Sequence, residues 1–170
     1  EFIDGRTGES LGIDKDYDDV SPTDLARYTD TPDGRRMGLA DYVMGNEDRN
    51  SGNWVITPDG SMAGIDHAFA FRFADDTLDS DNPFLRFLAG TNEYPRPLAS
   101  VIDFSAADFV PIRAQLEALR PEFVRLGKGD WHDKMMARLT EVEARARPGP
   151  ALGEAFPKAA APRALSSQTV

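Results

Sequence analysis

Apolar residues recur at helical spacing near the start of this chain. Ser21-Pro22-Thr23-Asp24 joins a hydroxyl N-cap to a proline at the first helical position, so we predict a short helix through about Tyr28. Thr31-Pro32-Asp33-Gly34 is typical of a turn. From Met37 to Met44 the apolar residues share one side, which predicts a helix that ends near Gly45-Asn46.

The same periodicity returns in the C-terminal part. Ser105 with Asp108 predicts a helix start. An amphipathic face follows at 3-4-3 spacing, formed by Phe109, Ile112, Leu116 and Leu119. Pro121 is expected to break or kink this helix. Asp130 is expected to cap a last helix whose apolar face holds Trp131, Met135, Leu139 and Val142. A shorter helix is expected over residues 83–88.

Between these helices the pattern changes to that of a hairpin. Trp54-Val55-Ile56 predicts a strand, Thr57-Pro58-Asp59-Gly60 a tight turn, and Ser61 to Ile65 the returning strand. The aromatic residues just beyond it alternate as in a strand and are expected in the core, or facing lipid if exposed: Phe69, Phe71 and Phe73.

These elements predict an α+β fold, a mostly helical lobe with one β-hairpin. Residues 1–20 are expected to be an irregular or weakly extended lead-in, and residues 21–147 to form the lobe. Residues 75–83 and 90–100 are expected to be loops. From Pro148 the chain is rich in Pro and Ala, so residues 148–170 are predicted to be a disordered tail.

Composition narrows the possible functions. The 170 residues carry a net charge of −10, which gives no electrostatic reason to bind nucleic acid or an anionic membrane. Cysteine is absent, so disulfides, thiolate metal sites and a thiol nucleophile are excluded, and a cytoplasmic location is expected. No apolar run has the length of a transmembrane segment.

The chemistry is concentrated between Tyr42 and Phe71. Asp48 precedes Asn53 by five residues, and Asn53 precedes Asp66 by thirteen, with the hairpin between them. The hairpin should place Asn53 and Asp66 at its open end, with Asp48 on the loop just before. Phosphoryl transfer from ATP needs a carboxylate near the attacking hydroxyl and oxygen ligands for Mg²⁺, and these three side chains can supply both.

This segment resembles the phosphatidylinositol 3-/4-kinase and HipA-type branch of the kinase-like fold. That branch reads roughly G-x-x-D-R-H-x-x-N and then I-D-x-G, where this chain has GNEDRNSGN from Gly45 and IDHAFAF from Ile65. The resemblance implies an ATP- and Mg²⁺-dependent phosphotransferase. It implies Asp48 as base or substrate orienter with Arg49 beside it in the catalytic set, and Asn53 and Asp66 as metal and nucleotide ligands.

Two positions depart from the pattern of that branch. Asn50 stands where the branch usually has His, which can change the packing of the catalytic loop or the handling of phosphate. Ala68 stands where it usually has Gly, which removes a permissive hinge after Asp66.

Several residues near the site have alternative interpretations. Arg49 can hold a phosphate, although a structural ion pair is favoured. His67 is expected to pack or to form hydrogen bonds rather than to bind metal. The acidic run Asp75, Asp76, Asp79 and Asp81 can bind a cation, although a solvated loop is favoured.

A kinase also needs a glycine-rich strand-turn and a lysine over the phosphates. Gly5, Gly8 and Gly12 followed by Lys15 resemble these faintly, but too few residues separate Lys15 from Asp48 for the elements that must intervene. We therefore expect essentially a C-terminal lobe. The N-terminal lobe would then lie in an upstream segment, on a second chain, or nowhere.

Two hypotheses follow. The first is a phosphotransferase whose partners are a nucleotide and an unknown acceptor: a lipid head group, a protein hydroxyl or a small molecule. The second is a non-catalytic, kinase-derived module inside a larger assembly. The intact Asp48, Asn53 and Asp66 favour the first hypothesis, and the missing lobe with Asn50 and Ala68 favours the second.

Overall fold

The computed structural model describes residues 3–71, 82–85, 101–144 and 146–147. Four expectations lie outside these residues: the acidic run at 75–81, the environment of Phe73, the loop at 90–100, and the tail at 148–170. Residues 83–85 are helical, in line with the short helix expected there, and the remainder of that segment is also outside the described residues.

A small antiparallel sheet carries the predicted hairpin. Strand β2 (Trp54–Ile56) pairs with β3 (Met62–Gly64), and the register places Trp54 opposite Gly64. Strand β1 (Arg6–Thr7) adds to the other side of β2, which gives the order β1-β2-β3. The hairpin is confirmed, and a third strand comes from the lead-in.

The lead-in packs on this sheet. A 3-10 helix (Glu9–Leu11) follows β1, and the side chains of Leu11 and Ile13 are buried. Gly8 lies against Trp54, where an added Cβ would come within 2.3 Å of the indole ring. Residues 6–13 therefore form part of the core beside the hairpin.

Two helices precede the catalytic segment. Helix α1 (Pro22–Thr29) begins as predicted, with the Ser21 hydroxyl accepting from the Asp24 N–H. Helix α2 runs from Pro32 to Met44. The turn predicted at residues 31–34 is wrong, because Thr31 acts as the N-cap and accepts from Gly34 N–H. The same residue types favour turns and helix starts, and here Pro32 is the first helical residue.

Two long helices form the C-terminal half. Helix α3 (Ala106–Arg125) packs against α4 (Gly129–Glu143). The start at Ser105 is confirmed, since the Asp108 carboxylate accepts from both the Ser105 N–H and hydroxyl. Strand β4 (Val101–Ser105) leads into α3 and pairs in parallel with β5 (Ala146–Arg147).

Helix α3 differs from its prediction in two ways. It is not broken at Pro121 and continues to Arg125, with Phe123 beyond the proline packed against Phe71. Leu119 lies off the buried face and is 46% exposed. In α4, Asp130 lies in the first turn and Lys128 is the N-cap. The predicted apolar face of α4 is otherwise confirmed, with Met135, Leu139 and Val142 buried.

The aromatic stretch after Asp66 is not a strand. Residues 68–71 form turns. Phe71 stacks on Trp131 at a centroid distance of 5.0 Å, whereas Phe69 is 41% exposed. The expected core position is confirmed for Phe71, which packs against the helical core, and is wrong for Phe69, because consecutive turns do not hold alternate side chains on one face.

Two hydrophobic cores result, and α2 contributes to both. The hairpin core consists of Leu11, Ile13, Tyr28, Met37, Trp54 and Phe84. The helical core consists of Leu39, Val43, Phe104, Phe109, Met135, Leu139 and Val142. The α+β, mostly helical fold is confirmed. In the described part of the chain, no helix combines the length and apolarity needed to cross a bilayer.

Candidate active site

The C-terminal end of α2 directs the chain into the catalytic loop. Gly45 has φ of 66°, a left-handed conformation that glycine adopts without strain. Its N–H donates to the carbonyl groups of Asp41 and Tyr42, and Asn46 N–H also donates to Asp41. This closure of the helix starts the loop that carries Asp48.

Asp48 is half-buried and held from two sides. Its Oδ1 accepts from Asn50 Nδ2 at 2.8 Å, and its main-chain carbonyl accepts from Asn53 Nδ2 at 3.1 Å. Within the described residues, no hydrogen bond is made to Asp48 Oδ2. One carboxylate oxygen is therefore oriented by a hydrogen bond, and the other accepts none from the described residues.

Asn53 and Asp66 meet at the open end of the hairpin, as the sequence predicts. The Ile65 N–H donates to the Asn53 carbonyl at 2.9 Å, and Asp66 is the next residue. The Asn53 side chain donates from Nδ2 to the Asp48 carbonyl. Its Oδ1 has no hydrogen bond within the described residues. Asp66 is exposed, has φ of 48°, and accepts from Ala68 N–H at its Oδ1.

Arg49 lies behind these residues. Its side chain is 1% exposed and pairs with Asp41, through Nε to Oδ2 at 2.9 Å and through one terminal nitrogen to Oδ1 at 2.6 Å. The other terminal nitrogen donates to the carbonyls of Asn53 and Ile65, at 2.5 and 2.9 Å. This is the structural ion pair favoured from the sequence, and it leaves no free side of the guanidinium for a phosphate.

Asp41 and Asn82 are residues that sequence reasoning missed. Asp41 is fully buried and also accepts from Asn46 Nδ2 and Asn82 Nδ2, both at 2.9 Å. Asp41 follows Met37 by one helical turn, so a carboxylate on the apolar side of α2 was the available signal. Asn82 lies far along the chain, and no local pattern marked it.

His67 forms a hydrogen bond in the site, as predicted. Its Nδ1 lies 3.1 Å from an Arg49 terminal nitrogen. A guanidinium can only donate, so Nδ1 is the acceptor and the ring is neutral. Burial of the ring, and then the positive charge of Arg49, lower the pKa of His67. The contact assigns His67 to the support of Arg49.

Asn50 and Ala68, the two residues that differ from the kinase pattern, each form hydrogen bonds with neighbouring residues. Asn50 uses both ends of its amide, since Nδ2 donates to Asp48 and Oδ1 accepts from Gly52 N–H at 2.9 Å. Ala68 donates its N–H to the Asp66 carboxylate. Both residues therefore orient the carboxylates beside them.

Tyr17 links the lead-in to the catalytic loop. Its hydroxyl donates to the Arg49 carbonyl at 2.6 Å and accepts from Trp54 Nε1 at 3.0 Å. Burial is the largest of the effects that raise the pKa of Tyr17 well above its ordinary value. The phenol is therefore a neutral structural group at any physiological pH.

The glycines before Lys15 have packing roles. An added Cβ at Gly5 would lie 2.7 Å from the Ile56 carbonyl oxygen. At Gly8 the Trp54 ring leaves no room for a Cβ. Gly12 ends the 3-10 helix with φ of 88°. The Lys15 carbonyl accepts from Ser51 N–H. Residues 5–15 thus pack against the hairpin and bond to the loop that carries Asp48.

The donor set fits magnesium better than a metal held by protein alone. Among the described residues, no group of three or more His, Asp or Glu side chains could hold a metal ion. Asn53 Oδ1 and the Asp66 carboxylate are two oxygen donors. Mg²⁺ is commonly bound by one or two protein oxygens, with water and phosphate oxygens in the remaining positions.

A model of a known protein family matches part of this chain. Residues 21–100, just under half of the chain, match the family model described as phosphatidylinositol 3- and 4-kinase. The match includes α1, α2, the catalytic loop and the hairpin. No curated protein and no solved structure matches the chain. The resemblance seen in the sequence is confirmed for a phosphatidylinositol 3-/4-kinase-like catalytic lobe, and its HipA-type part receives no separate support.

Proposed function

We propose that this chain is the C-terminal catalytic lobe of an ATP- and Mg²⁺-dependent phosphotransferase. One observation carries the proposal: Asp48, Asn53 and Asp66 are joined at the open end of the hairpin. Asn53 Nδ2 binds the Asp48 carbonyl, and the Asn53 carbonyl pairs with the residue before Asp66. Phosphoryl transfer depends mainly on positioning and charge neutralisation, and this arrangement can supply both.

Each of the three residues has a separate role in this proposal. Asp48, with Oδ1 held by Asn50, orients the acceptor hydroxyl and accepts its proton at Oδ2. Asn53 Oδ1 and the Asp66 carboxylate bind the ion. When bound, Mg²⁺ neutralises charge on the phosphates. Arg49 takes no direct part, since its guanidinium is committed to Asp41 and to two carbonyls.

The proposal leaves the adenine pocket and the phosphate clamp to an N-terminal lobe, supplied by an upstream segment or by a second chain. The nucleotide is then bound between two lobes, as adenine sites commonly are. The acceptor is a lipid head group, a protein hydroxyl or a small molecule, and the setting is cytoplasmic. The family match favours kinase chemistry without choosing among these acceptors.

Mg²⁺-dependent release of ADP from ATP tests this proposal, measured on the full chain together with the upstream segment or second chain that supplies its N-terminal lobe. We expect Asp66→Ala to abolish the activity and Asp48→Asn to reduce it by roughly 10²–10⁴-fold, the usual contribution of a positioned acid or base. Asp133→Asn is the matched control, because this exposed carboxylate pairs only with groups on the α3–α4 hairpin. Wild-type levels of ADP release by Asp48→Asn and Asp66→Ala would contradict the proposal.

A second candidate is a non-catalytic module, and one observation favours it: Gly5 and Gly8 pack on the hairpin instead of forming a phosphate loop. This candidate predicts no ADP release above the no-protein blank, with or without Mg²⁺. It also predicts that Asp66→Ala leaves every binding partner of the chain unaffected.

A further inference from the structure

We propose that Asp41 is a positioning residue that fixes the Asn53–Asp66 ligand pair by acting through Arg49. Asp41 lies in the middle of α2, between the two hydrophobic cores, and is fully buried. The inference rests on the proposed function, because it assigns the support of that same metal pair.

The Asp41 carboxylate accepts four hydrogen bonds from three residues. It receives two bonds from Arg49, one from Asn46 and one from Asn82. A buried carboxylate keeps its charge only when it is paired and hydrogen-bonded. The four bonds satisfy this requirement, and they also fix the Arg49 guanidinium in one plane and one place.

Arg49 in turn bonds to the residues at the open end of the hairpin, just outside its two strands. One of its terminal nitrogens donates to the carbonyls of Asn53 and Ile65. Asn53 carries one proposed ligand, and Ile65 immediately precedes the other, Asp66. This nitrogen therefore adds a second link between the two ends of the hairpin, beside the hydrogen bond from the Ile65 N–H to the Asn53 carbonyl.

Packing around Arg49 leaves little freedom for another arrangement. An added Cβ at Gly64, the last residue of β3, would lie 3.1 Å from an Arg49 terminal nitrogen. The Arg49 carbonyl is held by the Tyr17 hydroxyl. Main chain and side chain are thus both fixed, as expected of a residue that orients metal ligands from behind.

Arg49→Lys separates a positioning role from a purely structural one. Lysine keeps the positive charge beside Asp41 but cannot make the planar set of bonds that reaches Asp41 and two carbonyls together. A purely structural role would lower the melting temperature and leave the metal affinity of the folded protein unchanged. A positioning role weakens metal binding at temperatures where the variant is fully folded.

The experiment is an NMR titration of the full chain with Mn²⁺ alone, which reads line broadening at the Asn53 side-chain amide and the Asp66 backbone amide. Circular dichroism confirms that each variant is folded at the titration temperature. The variants are Arg49→Lys, Asp41→Asn and Asp66→Ala. Arg113→Lys is the matched control, because Arg113 joins α3 to α4 through Glu143 and Thr140.

We expect the wild-type chain to broaden at both amides together and Asp66→Ala to lose this response. In Arg49→Lys and Asp41→Asn the midpoint should rise roughly 10- to 100-fold, the usual cost of losing a group that orients metal ligands. Arg113→Lys should match the wild-type chain. If Asp41→Asn does not fold, the Mn²⁺ midpoint of Arg49→Lys alone tests the inference.

Two outcomes would overturn the inference. They differ in whether the proposed metal pair and the proposed function are also rejected. Folded Arg49→Lys with an unchanged midpoint would reject the role of Asp41 and Arg49 while the metal pair survives. Absence of broadening at Asn53 and Asp66 in the wild-type chain would reject the metal pair, and the proposed function with it.

Discussion

The two halves of this lobe are stabilised in different ways. In the helical half, apolar side chains of α3 and α4 pack together, and the buried polar groups among the described residues are Ser105, Asp108 and His132. Around the hairpin the buried set is far more polar and includes a full ion pair: Thr29, Asp41, Asn46, Arg49, Ser51, Asn53 and Asn82.

The difference reflects what each half must hold. Helices satisfy their own backbone groups, so apolar packing is enough to place them. The loop from Asn46 to Gly52 has irregular backbone, and buried carbonyls there need donors from side chains. Arg49 and Tyr17 supply such donors to the hairpin and to the loop itself. The geometry around the hairpin is therefore specified by polar contacts, and that of the helical half by apolar ones.

Asp41→Ala should have the largest effect on stability. It leaves the Arg49 guanidinium buried without its counter-ion, and losing one partner of a buried pair costs about 3–5 kcal/mol. Urea denaturation measures this cost as a lower midpoint. A loss below about 1 kcal/mol would show that the pair is solvated and the comparison incorrect.

The double variant Asp41→Leu with Arg49→Met tests whether the loss in Asp41→Ala comes from the unpaired charge of Arg49. Replacing both members of a buried pair by apolar groups is often neutral or stabilising. We expect it to recover most of the stability lost in Asp41→Ala. Recovery stays incomplete because the carbonyls of Asn53 and Ile65 lose their donor.

Tyr17→Phe should have an intermediate effect that depends on pH. The variant leaves the Arg49 carbonyl and Trp54 Nε1 without the hydroxyl, at a cost of about 1–3 kcal/mol near neutral pH. Burial raises the pKa of Tyr17 in the folded state. Above a pH of about 10 the unfolded chain loses the phenol proton while the folded chain keeps it, so the wild-type protein loses stability as pH rises.

The stability difference between wild type and Tyr17→Phe should therefore be constant below a pH of about 10 and shrink above it. Denaturation midpoints measured from pH 7 to 11 follow this difference. A difference that grows above pH 10 would mean that the folded state favours the phenolate, contrary to the burial of Tyr17.

Ser105→Ala should have the smallest effect, because it tests a helix start in the apolar half. The hydroxyl donates to Asp108, and losing such a contact at a helix N-terminus costs about 1 kcal/mol. Thermal unfolding measures this cost, with Ser61→Ala in the hairpin turn as a control for the substitution itself. A loss as large as that of Asp41→Ala would remove the contrast between the two halves.

Local patterns were sufficient to predict the hairpin and most of the helices, whereas strands β1, β4 and β5 were not predicted. The hairpin, the start of α3 and the apolar face of α4 depend on neighbours within a few residues, and so do the spacings of Asp48, Asn53 and Asp66. Errors arose where one local pattern serves two purposes. Thr31-Pro32 can start a turn or a helix, and a proline such as Pro121 can lie inside a helix as well as at its end.

The support behind the site could not be predicted in the same way. Asp41 contacts Asn82 from 41 residues away, and Tyr17 reaches Arg49 from 32 residues away. Such contacts depend on the assembled fold. An acidic residue on the apolar side of α2 indicates that Asp41 has a buried hydrogen-bonding partner. Only the structure shows that Arg49 and Asn82 are among these partners.

The measurement that tests the central claim most directly is Mg²⁺-dependent binding of ATP, followed by calorimetry on the full chain and on Asp66→Ala. The account predicts weak binding by the wild-type chain that requires Mg²⁺ and disappears in Asp66→Ala. Binding of equal affinity and equal Mg²⁺ dependence in Asp66→Ala would contradict it, because the hairpin's open end would then not be where the nucleotide's metal is held.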